Sequence, residues 1–505
     1  MHSVTHTILD SIISSDRVVI HTNVQLWDVH VVETIEIALR ARAKGADTTV
    51  VVCNGSLSSC PANALHSPSL CGKCNNKTDH LVAFLENNDV RIVSVPEFPS
   101  RAAEHECVSG ILTRRDLMDF RAGNAPIGRL VASQITDDLK DVYFSLTGTV
   151  RERALQHCLN GTALLEWSTR VLTEIGATKV FVWNGRRPSD GPFYYAAKNL
   201  GLEAFTYISG GRPGSLFVTA APSVQEAPPE EVTADIRALS EQFASAPLEG
   251  MSRLNDYRFG TYQQVGYKSF DQPISPSTRN LPAPILDWLN AESRRIFLPT
   301  SSPSESIHIE EVDSLFGDDP YAWIERLQAR AAEAGLALLV RWHPAQNRPG
   351  TGEHARINEI AHAAPPGVHH ILPDEAIDAY FLAAESDVVV TTGSTVAVWA
   401  AATNKSVIQL DPRPHFLEAA WTRVSSEDDL WQALQEPRSS NAEAAQLWSL
   451  YRAERGEVMR FVQWVDGRPL APHLPRSISH SAHTRKLLHR PLTLLRRILR
   501  KSAPN

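Results

Sequence analysis

The chain has 505 residues, 43% of them apolar, with 49 Lys+Arg against 57 Asp+Glu and a formal net charge of −8. That length accommodates two or three domains with substantial cores, and the ordinary content of apolar and charged residues excludes wholesale disorder and a fibrous protein. The acidic balance excludes a general nucleic-acid binder, but it is uneven: after Asp466 nine basic residues and no acid follow, which leaves the first 466 residues at −17.

The N-terminal stretch carries no basic segment followed by an apolar one, and no apolar run reaches the roughly eighteen residues that span a bilayer. A cytosolic protein is expected. Six cysteines are too few for a disulfide scaffold in so long a chain, and their clustering points to metal or redox chemistry instead.

In chain order, Arg17–Thr22 is a short β-rich run. Residues 28–44 then show apolar residues at helical spacing up to Gly45, and 47–53 is a nearly continuous apolar strand. Strand, helix and buried strand in this order predict a βαβ unit of a parallel sheet. The pattern resumes at 90–95, at Lys179–Trp183 and at 204–208, with a helix at 193–200, so one α/β domain is expected over 1–220. From 221 to 284 prolines and glutamates mark a linker or crossover. Strand Arg295–Pro299, the polar loop TSSPSES, a helix at 319–334, and strands at 336–341 and 387–391 predict a second doubly wound domain over 285–466. The sequence therefore predicts two Rossmann-like domains facing a cleft, with ligands at the carboxyl ends of the strands, and a basic helical tail from 467 to 505.

Three strand ends in the second domain carry groups suited to phosphate. LLVRWHP delivers Arg341 and His343, a cation and an imidazole two positions apart, before Pro344 stops the strand. SDVVVTTGSTVAVWAA ends a strand in Gly393, Ser394 and Thr395 and opens into a helix whose N-terminus attracts anions. Ser301 and Ser302 follow the strand at Arg295–Pro299. A surface Arg–His pair and a simple Ser394 N-cap are the bland alternatives for the first two segments taken singly.

The order TSSPSES, RWHP, SDVVVTTGST resembles the nucleotide-sugar half of GT-B glycosyltransferases. It is most similar to capsular polysaccharide biosynthesis transferases, and more distantly to bacterial sialyltransferases and polyol-phosphate transferases. HTNVQLWDVH, CNGSLSSCPANALHSPSLCGKC and VWNGRRPSDGPFYYAAKNLGLEAF in the amino half look like the same capsule-type group, and the resemblance covers about residues 17–410. It implies that His343, Ser394 and Thr395, assisted by Arg341, bind the phosphates of a nucleotide-sugar donor. Two departures stand out. Trp399 occupies the place of a Glu that often holds the donor ribose in this fold, and Asn404-Lys405-Ser406 replaces Gly-Lys-Pro. A changed donor or an inactive relative stays open on that account.

Glycosyl transfer needs a base for the acceptor hydroxyl. In this fold the base commonly lies near the end of an early strand, so Asp28 and His30 are candidates, with an N-cap role as the alternative for Asp28. Glu305 is a third. Asn184 and Arg186 in WNGRRP are expected on the acceptor side, and the loop SGGRPG, from Ser209 to Gly214, is a candidate lid. No DxD stands in a donor position, so no catalytic metal is expected. Cys53, Cys60, Cys71 and Cys74, the last two as a CxxC in what reads as a polar loop, are candidate ligands of a structural zinc, with zinc ahead of an iron–sulfur cluster and unliganded thiols as the alternative to any metal. Cys107 and Cys158 read as packing residues.

The tail RKLLHRPLTLLRRILRK interleaves leucines with basic residues and suits an anionic membrane surface, although Pro491 interrupts a helix there. The expected protein is a cytoplasmic glycosyltransferase, of hexosyl or ulosonic-acid type, peripheral on the inner face of the cell membrane. It would act on a nucleotide-sugar donor and a lipid-linked or oligosaccharide acceptor of capsule or surface polysaccharide synthesis. A polyol-phosphate transferase or nucleotide-sugar epimerase on the same fold is the alternative within enzymes. A degenerate scaffold of a membrane-bound synthesis complex is the alternative outside them.

Overall fold

A computed structural model describes residues 9, 12–13, 16–98, 108–242, 281–317, 319–375, 377–411, 420–465 and 468–470. The chain divides into two compact units. Unit 1 comprises Met1–Leu139, Phe144–Pro228 and the chain from Gly456 onward; unit 2 comprises Lys140–Tyr143 and Pro229–Arg455.

Unit 1 runs β1 (Arg17–Thr22), α1 (Asp28–Ala43), β2 (Asp47–Val52), α2 (Pro68–Glu86), β3 (Arg91–Ser94), α3 (Arg114–Asp119), α4 (Ile127–Leu139), α5 (Gly148–Ile175), β4 (Lys179–Trp183), α6 (Gly191–Asn199), β5 (Glu203–Ser209) and β6 (Ser215–Thr219). In β1 and β2 every residue after the first is buried, as strands covered on both faces require. The sheet order is β3–β2–β1–β4–β5–β6, with β1 to β5 parallel and β6 antiparallel to β5. The strand order reverses direction between β1 and β4, and the crevice at their carboxyl ends is where such sheets bind ligands.

Unit 2 runs α7 (Pro229–Gln242), α8 (Ala283–Leu289), β7 (Arg295–Pro299), α9 (Glu310–Phe316), α10 (Ala322–Glu333), β8 (Ala337–Arg341), α11 (Gly352–His362), β9 (Val368–Ile371), α12 (Ala379–Glu385), β10 (Val388–Thr391), α13 (Thr395–Ala402), β11 (Ser406–Leu410), β12 (Thr422–Val424), α14 (Glu427–Gln435) and α15 (Ala442–Glu454). All its pairs are parallel, in the order β12–β11–β10–β7–β8–β9, so the reversal falls between β7 and β10. The chain then returns to unit 1 as β13 (Glu457–Val458), antiparallel to β6, followed by the hairpin β14 (Gln463–Val465) and β15 (Arg468–Leu470).

This return is locked by ion pairing. Arg40 on α1, 2% exposed, donates from Nε to Glu36 at 2.7 Å, from Nη1 to Glu457 at 2.6 Å and from Nη2 to the Val458 carbonyl. Glu36 in turn accepts the backbone N–H groups of Arg460 and Phe461.

Two doubly wound α/β units are present, as the sequence predicts, but with other bounds: residues 456–465, expected in the second domain, belong to unit 1, while 140–143, expected in the first domain, and 229–242, expected in the linker, belong to unit 2. Two local readings change. Cys71 and Cys74 belong to α2, a helix that opens with Pro68 at its first position, and not to a loop. Residues 468–470, placed in a helical tail, form a strand, and the rest of the tail, from 471, lies outside the described residues. The loop SGGRPG is the connection of the β5–β6 hairpin. Residues 114–175, to which the sequence reading assigns no element, form α3, α4 and the 28-residue α5, closed by Gly176 in the left-handed conformation.

Candidate functional site

In unit 1 the residues that follow β1 and β4 converge. His30 lies in the first turn of α1 and packs on the ring of Trp183, the last residue of β4, at 4.1 Å between centroids. Its Nδ1 meets Oε2 of Glu33 at 3.1 Å. Glu33 is fully buried, and its other oxygen accepts the hydroxyl of Ser209, the last residue of β5. An ionised carboxylate can only accept here, so Nδ1 carries a ring proton, and in the neutral ring the lone pair is then on Nε2. Asp28, the other early candidate, is the first residue of α1 and is paired with Lys77 at 2.6 Å.

A polar cluster lies beside them. Asn23 donates to the Asp190 carboxylate, as does Ser189. Burial pushes the Asp190 carboxyl up to about 6 and the His21 imidazole down to about 3, so His21 is neutral at physiological pH. Arg186 and Arg187 both reach Asp137 of α4, at 3.1 and 2.9 Å, and Arg187 lies over the Trp183 ring. Asn184 has a left-handed φ of 59° and precedes Gly185, where a Cβ would come within 1.8 Å of the Pro222 carbonyl oxygen, so the turn after β4 demands glycine. Glu33, Asp190 and Asp137 escaped the sequence reading; Asp190 lies in the loop after β4, whereas Glu33 and Asp137 sit within α1 and α4.

In unit 2 the adjacent strands β10, β7 and β8 bring the expected phosphate-binding segments to one edge. The His343 N–H donates to the Thr300 hydroxyl at 2.9 Å and to Gln346 Oε1 at 2.7 Å. Its Nδ1 accepts the Ala345 N–H, which leaves the proton of the neutral ring on Nε2. Arg341 is buried and donates from Nε to the Ile377 carbonyl. Behind this turn, Gln346 Nε2 and the Tyr321 hydroxyl both donate to Glu353, whose carboxyl burial raises to about 7.

After β10, the Thr391 hydroxyl accepts the N–H groups of both Gly393 and Ser394, and the Ser394 hydroxyl caps Val396. Much of this loop's donor capacity is therefore spent internally, while Gly393 and Thr395 are exposed. Trp399 packs edge-on against Tyr380 in the core beneath, at 5.7 Å. Glu305 ends a short 3-10 turn and is exposed. Thr300, Ser301, Ser302, Thr392 and Asp411 line one cavity of about 60 Å³ together with apolar residues that include Phe316 and Trp323. Asp411, just past β11, also escaped the sequence reading.

The four clustered thiols are half-buried and form no disulfide. The Cys53 sulfur accepts the Gly55 N–H at 3.3 Å and Cys71 accepts from Asn63 Nδ2 at 3.2 Å. Burial raises the Cys53, Cys60 and Cys74 thiols, against backbone N–H donors that pull each down, and neighbouring cysteines add to the rise. Among the described residues no three His, Cys, Asp or Glu side chains stand arranged to hold a metal ion. No helix among them is long and apolar enough to cross a membrane.

No family model and no curated protein matches the sequence. Among solved structures the chain is similar to KpsC of Thermosulfurimonas dismutans, a beta Kdo 2,4 transferase: 13% identity, 54% of this chain and 79% of that one, TM-score 0.32. The beta Kdo 2,7 transferase structure of the same KpsC matches at 10% identity over 65% of this chain and 89% of that one, TM-score 0.31. The UDP-GlcNAc 2-epimerase of Methanocaldococcus jannaschii, solved with UDP-GlcNAc and UDP, matches at 11% identity over 85% of this chain and 97% of that one, TM-score 0.27. At these scores the likeness bears on neither reaction nor ligand.

Proposed function

We propose that this chain is a glycosyltransferase of capsule or surface polysaccharide synthesis, taking a sugar from a nucleotide-activated donor to a lipid-linked or oligosaccharide acceptor. The observation that carries the reading is His30, at the carboxyl edge of a doubly wound sheet, with Nδ1 held by buried Glu33 and Nε2 presented as a base. In the transfer, Nε2 takes the proton of the acceptor hydroxyl. The acceptor oxygen bonds to the anomeric carbon, and the bond from that carbon to the donor phosphate oxygen breaks with its electron pair going to the phosphate. Within unit 2, His343, Arg341 and Thr395 are the groups suited to a donor phosphate. Oriented base catalysis of this kind contributes about 10²- to 10⁴-fold.

The basic, leucine-rich stretch 485–501, outside the described residues, supports docking on an anionic membrane where a lipid-linked acceptor is met. The four thiols are read as ligands of a structural zinc; N–H donors aimed at the sulfurs suit thiolates, and binding zinc would displace the thiol protons and draw the sulfurs together. The test of the function is a screen of UDP-, GDP-, CDP- and CMP-linked sugars by thermal shift, followed by donor turnover with the best stabiliser. Stabilisation by one donor class and its turnover are expected. Absence of any stabilisation, or binding without turnover, contradicts the reading.

A further inference from the structure

The turn that carries His343 is held from behind by a buried carboxamide. Gln346 ends the short 3-10 turn Pro344–Gln346 and is 1% exposed, so it works on the protein's own groups and not on a ligand. Its Oε1 accepts the His343 N–H at 2.7 Å and the Thr300 hydroxyl at 3.3 Å. Its Nε2 donates to the Tyr321 hydroxyl and, at 3.3 Å, to Glu353 Oε1. Both lone pairs and both protons of the carboxamide are thereby used. Glu353 is buried as well and accepts the Tyr321 hydroxyl at 2.5 Å. Asp141 fixes the start of its helix, α11, by accepting the N–H groups of Gly352 at 2.8 Å and Glu353 at 3.0 Å.

The polarity of this network leaves one arrangement. Tyr321 has a single hydroxyl proton and gives it to Glu353, so both groups face Gln346 with oxygen as acceptors and draw the nitrogen end of the carboxamide. The oxygen end is therefore turned to the His343 main chain. A capping box by itself fixes only a local turn. Here the box is tied to α11 and to Tyr321, the residue before α10. A carboxylate in place of the carboxamide would set two like charges side by side where they are poorly screened.

We infer that Gln346 is a positioning residue for His343: it passes the placement of the buried Glu353–Tyr321 pair to the His343 main chain, and so to the imidazole whose Nδ1 is held in the same turn by Ala345. Only the effect on affinity rests on the reading of His343 as a donor-phosphate group; the placement is measured without ligand.

A reciprocal exchange tests it. Gln346→Glu confronts two carboxylates, Glu353→Gln keeps an acceptor for Tyr321, and Gln346→Glu/Glu353→Gln again sets one carboxamide against one carboxylate with the ends reversed. In the full chain labelled with 15N at histidine alone, the His343 amide is assigned among 19 histidines by its loss in His343→Gln. Without ligand, its signal is expected at low field in the parent, moved to high field by Gln346→Glu and returned by the double variant. Thr300→Val removes the other acceptor of the same N–H and is expected to leave the signal at low field, which keeps the test usable where Gln346→Glu does not fold. Of UDP, GDP, CDP and CMP, the nucleotide that binds the parent should bind Gln346→Glu about tenfold more weakly, the worth of one buried hydrogen bond, and the double variant as it binds the parent. The inference is overturned when Gln346→Glu leaves the His343 signal in place, when Thr300→Val alone moves it to high field, when the double variant comes no nearer the parent than the single one, or when a nucleotide that binds the parent binds Gln346→Glu equally well. A restored His343 signal in a protein that binds no nucleotide sinks the donor reading alone, and an unmoved signal in a protein that turns donor over sinks the positioning role alone.

Discussion

Arg40 and Glu457, 417 positions apart in the chain, pair at 2.6 Å in the interior of unit 1, and Glu36 completes the bridge. The segment after α15 is thereby part of the first domain's fold. A buried pair broken on one side leaves an uncompensated charge, which costs about 3–5 kcal/mol. Arg40→Ala should lower the stability of unit 1 by that amount in urea denaturation, with loss of the β13 contact to β6. Replacement with a change under 1 kcal/mol would mean that Glu36 and Glu457 find other partners.

Glu353 gives a pH signature. Burial raises its carboxyl from the ordinary 4.5 to about 7, so between these values the folded state holds a proton that the unfolded state has released. Its contribution is therefore present below pH 4.5 and is lost as pH rises toward 7, with a slope of up to about 1.4 kcal/mol per pH unit. Glu353→Gln removes this slope. Relative to the parent, the variant should gain stability between pH 4.5 and 7, measured by thermal unfolding across that range; an unchanged difference at all pH values contradicts the assignment.

The thiols make a compositional prediction. Protein purified anaerobically should contain about one zinc per chain, lost in the double variant Cys71→Ser/Cys74→Ser together with a lower melting temperature. Metal-free protein that melts as the parent does removes the zinc, and a brown protein absorbing in the visible range assigns an iron–sulfur cluster instead.

Thr391 tests the loop after β10. Its hydroxyl accepts from both Gly393 and Ser394, so Thr391→Val leaves two N–H groups to find new acceptors, at about 1–3 kcal/mol. Donor affinity is expected to fall with little change in the pH dependence of turnover. Unaltered affinity would show that the loop does not need this hydroxyl to hold its shape.

Much of this architecture was legible because parallel strands buried on both faces write themselves as apolar runs. β1, β2, β4, β7, β8 and β10 all follow from such runs to within a residue or two. Their carboxyl ends gave His30, Ser301, His343 and Ser394. What stayed hidden needs the third dimension. Glu33 and Arg40 are charged residues on a helix that reads as amphipathic, yet both are buried because each finds its counterpart on a distant segment: Ser209 for one, Glu457 for the other. Asp411 follows an ordinary strand and gains meaning only beside Ser301 and Thr392, more than a hundred and about twenty residues away respectively. Cys71 and Cys74 read as loop residues because glycine, asparagine and lysine surround them, but Pro68 fixes the first turn of a helix that Leu70, Leu81 and Leu85 bury.

The central claim is that His30 is the base, held in its tautomer by Glu33. The most direct measurement is donor turnover as a function of pH for the parent, His30→Ala and Glu33→Gln, with acceptor at saturation. The account predicts that His30→Ala loses about 10²- to 10⁴-fold in kcat with donor affinity retained, and that Glu33→Gln, which accepts less strongly from Nδ1, loses less. Turnover in His30→Ala equal to the parent's, with the same pH profile, would contradict it.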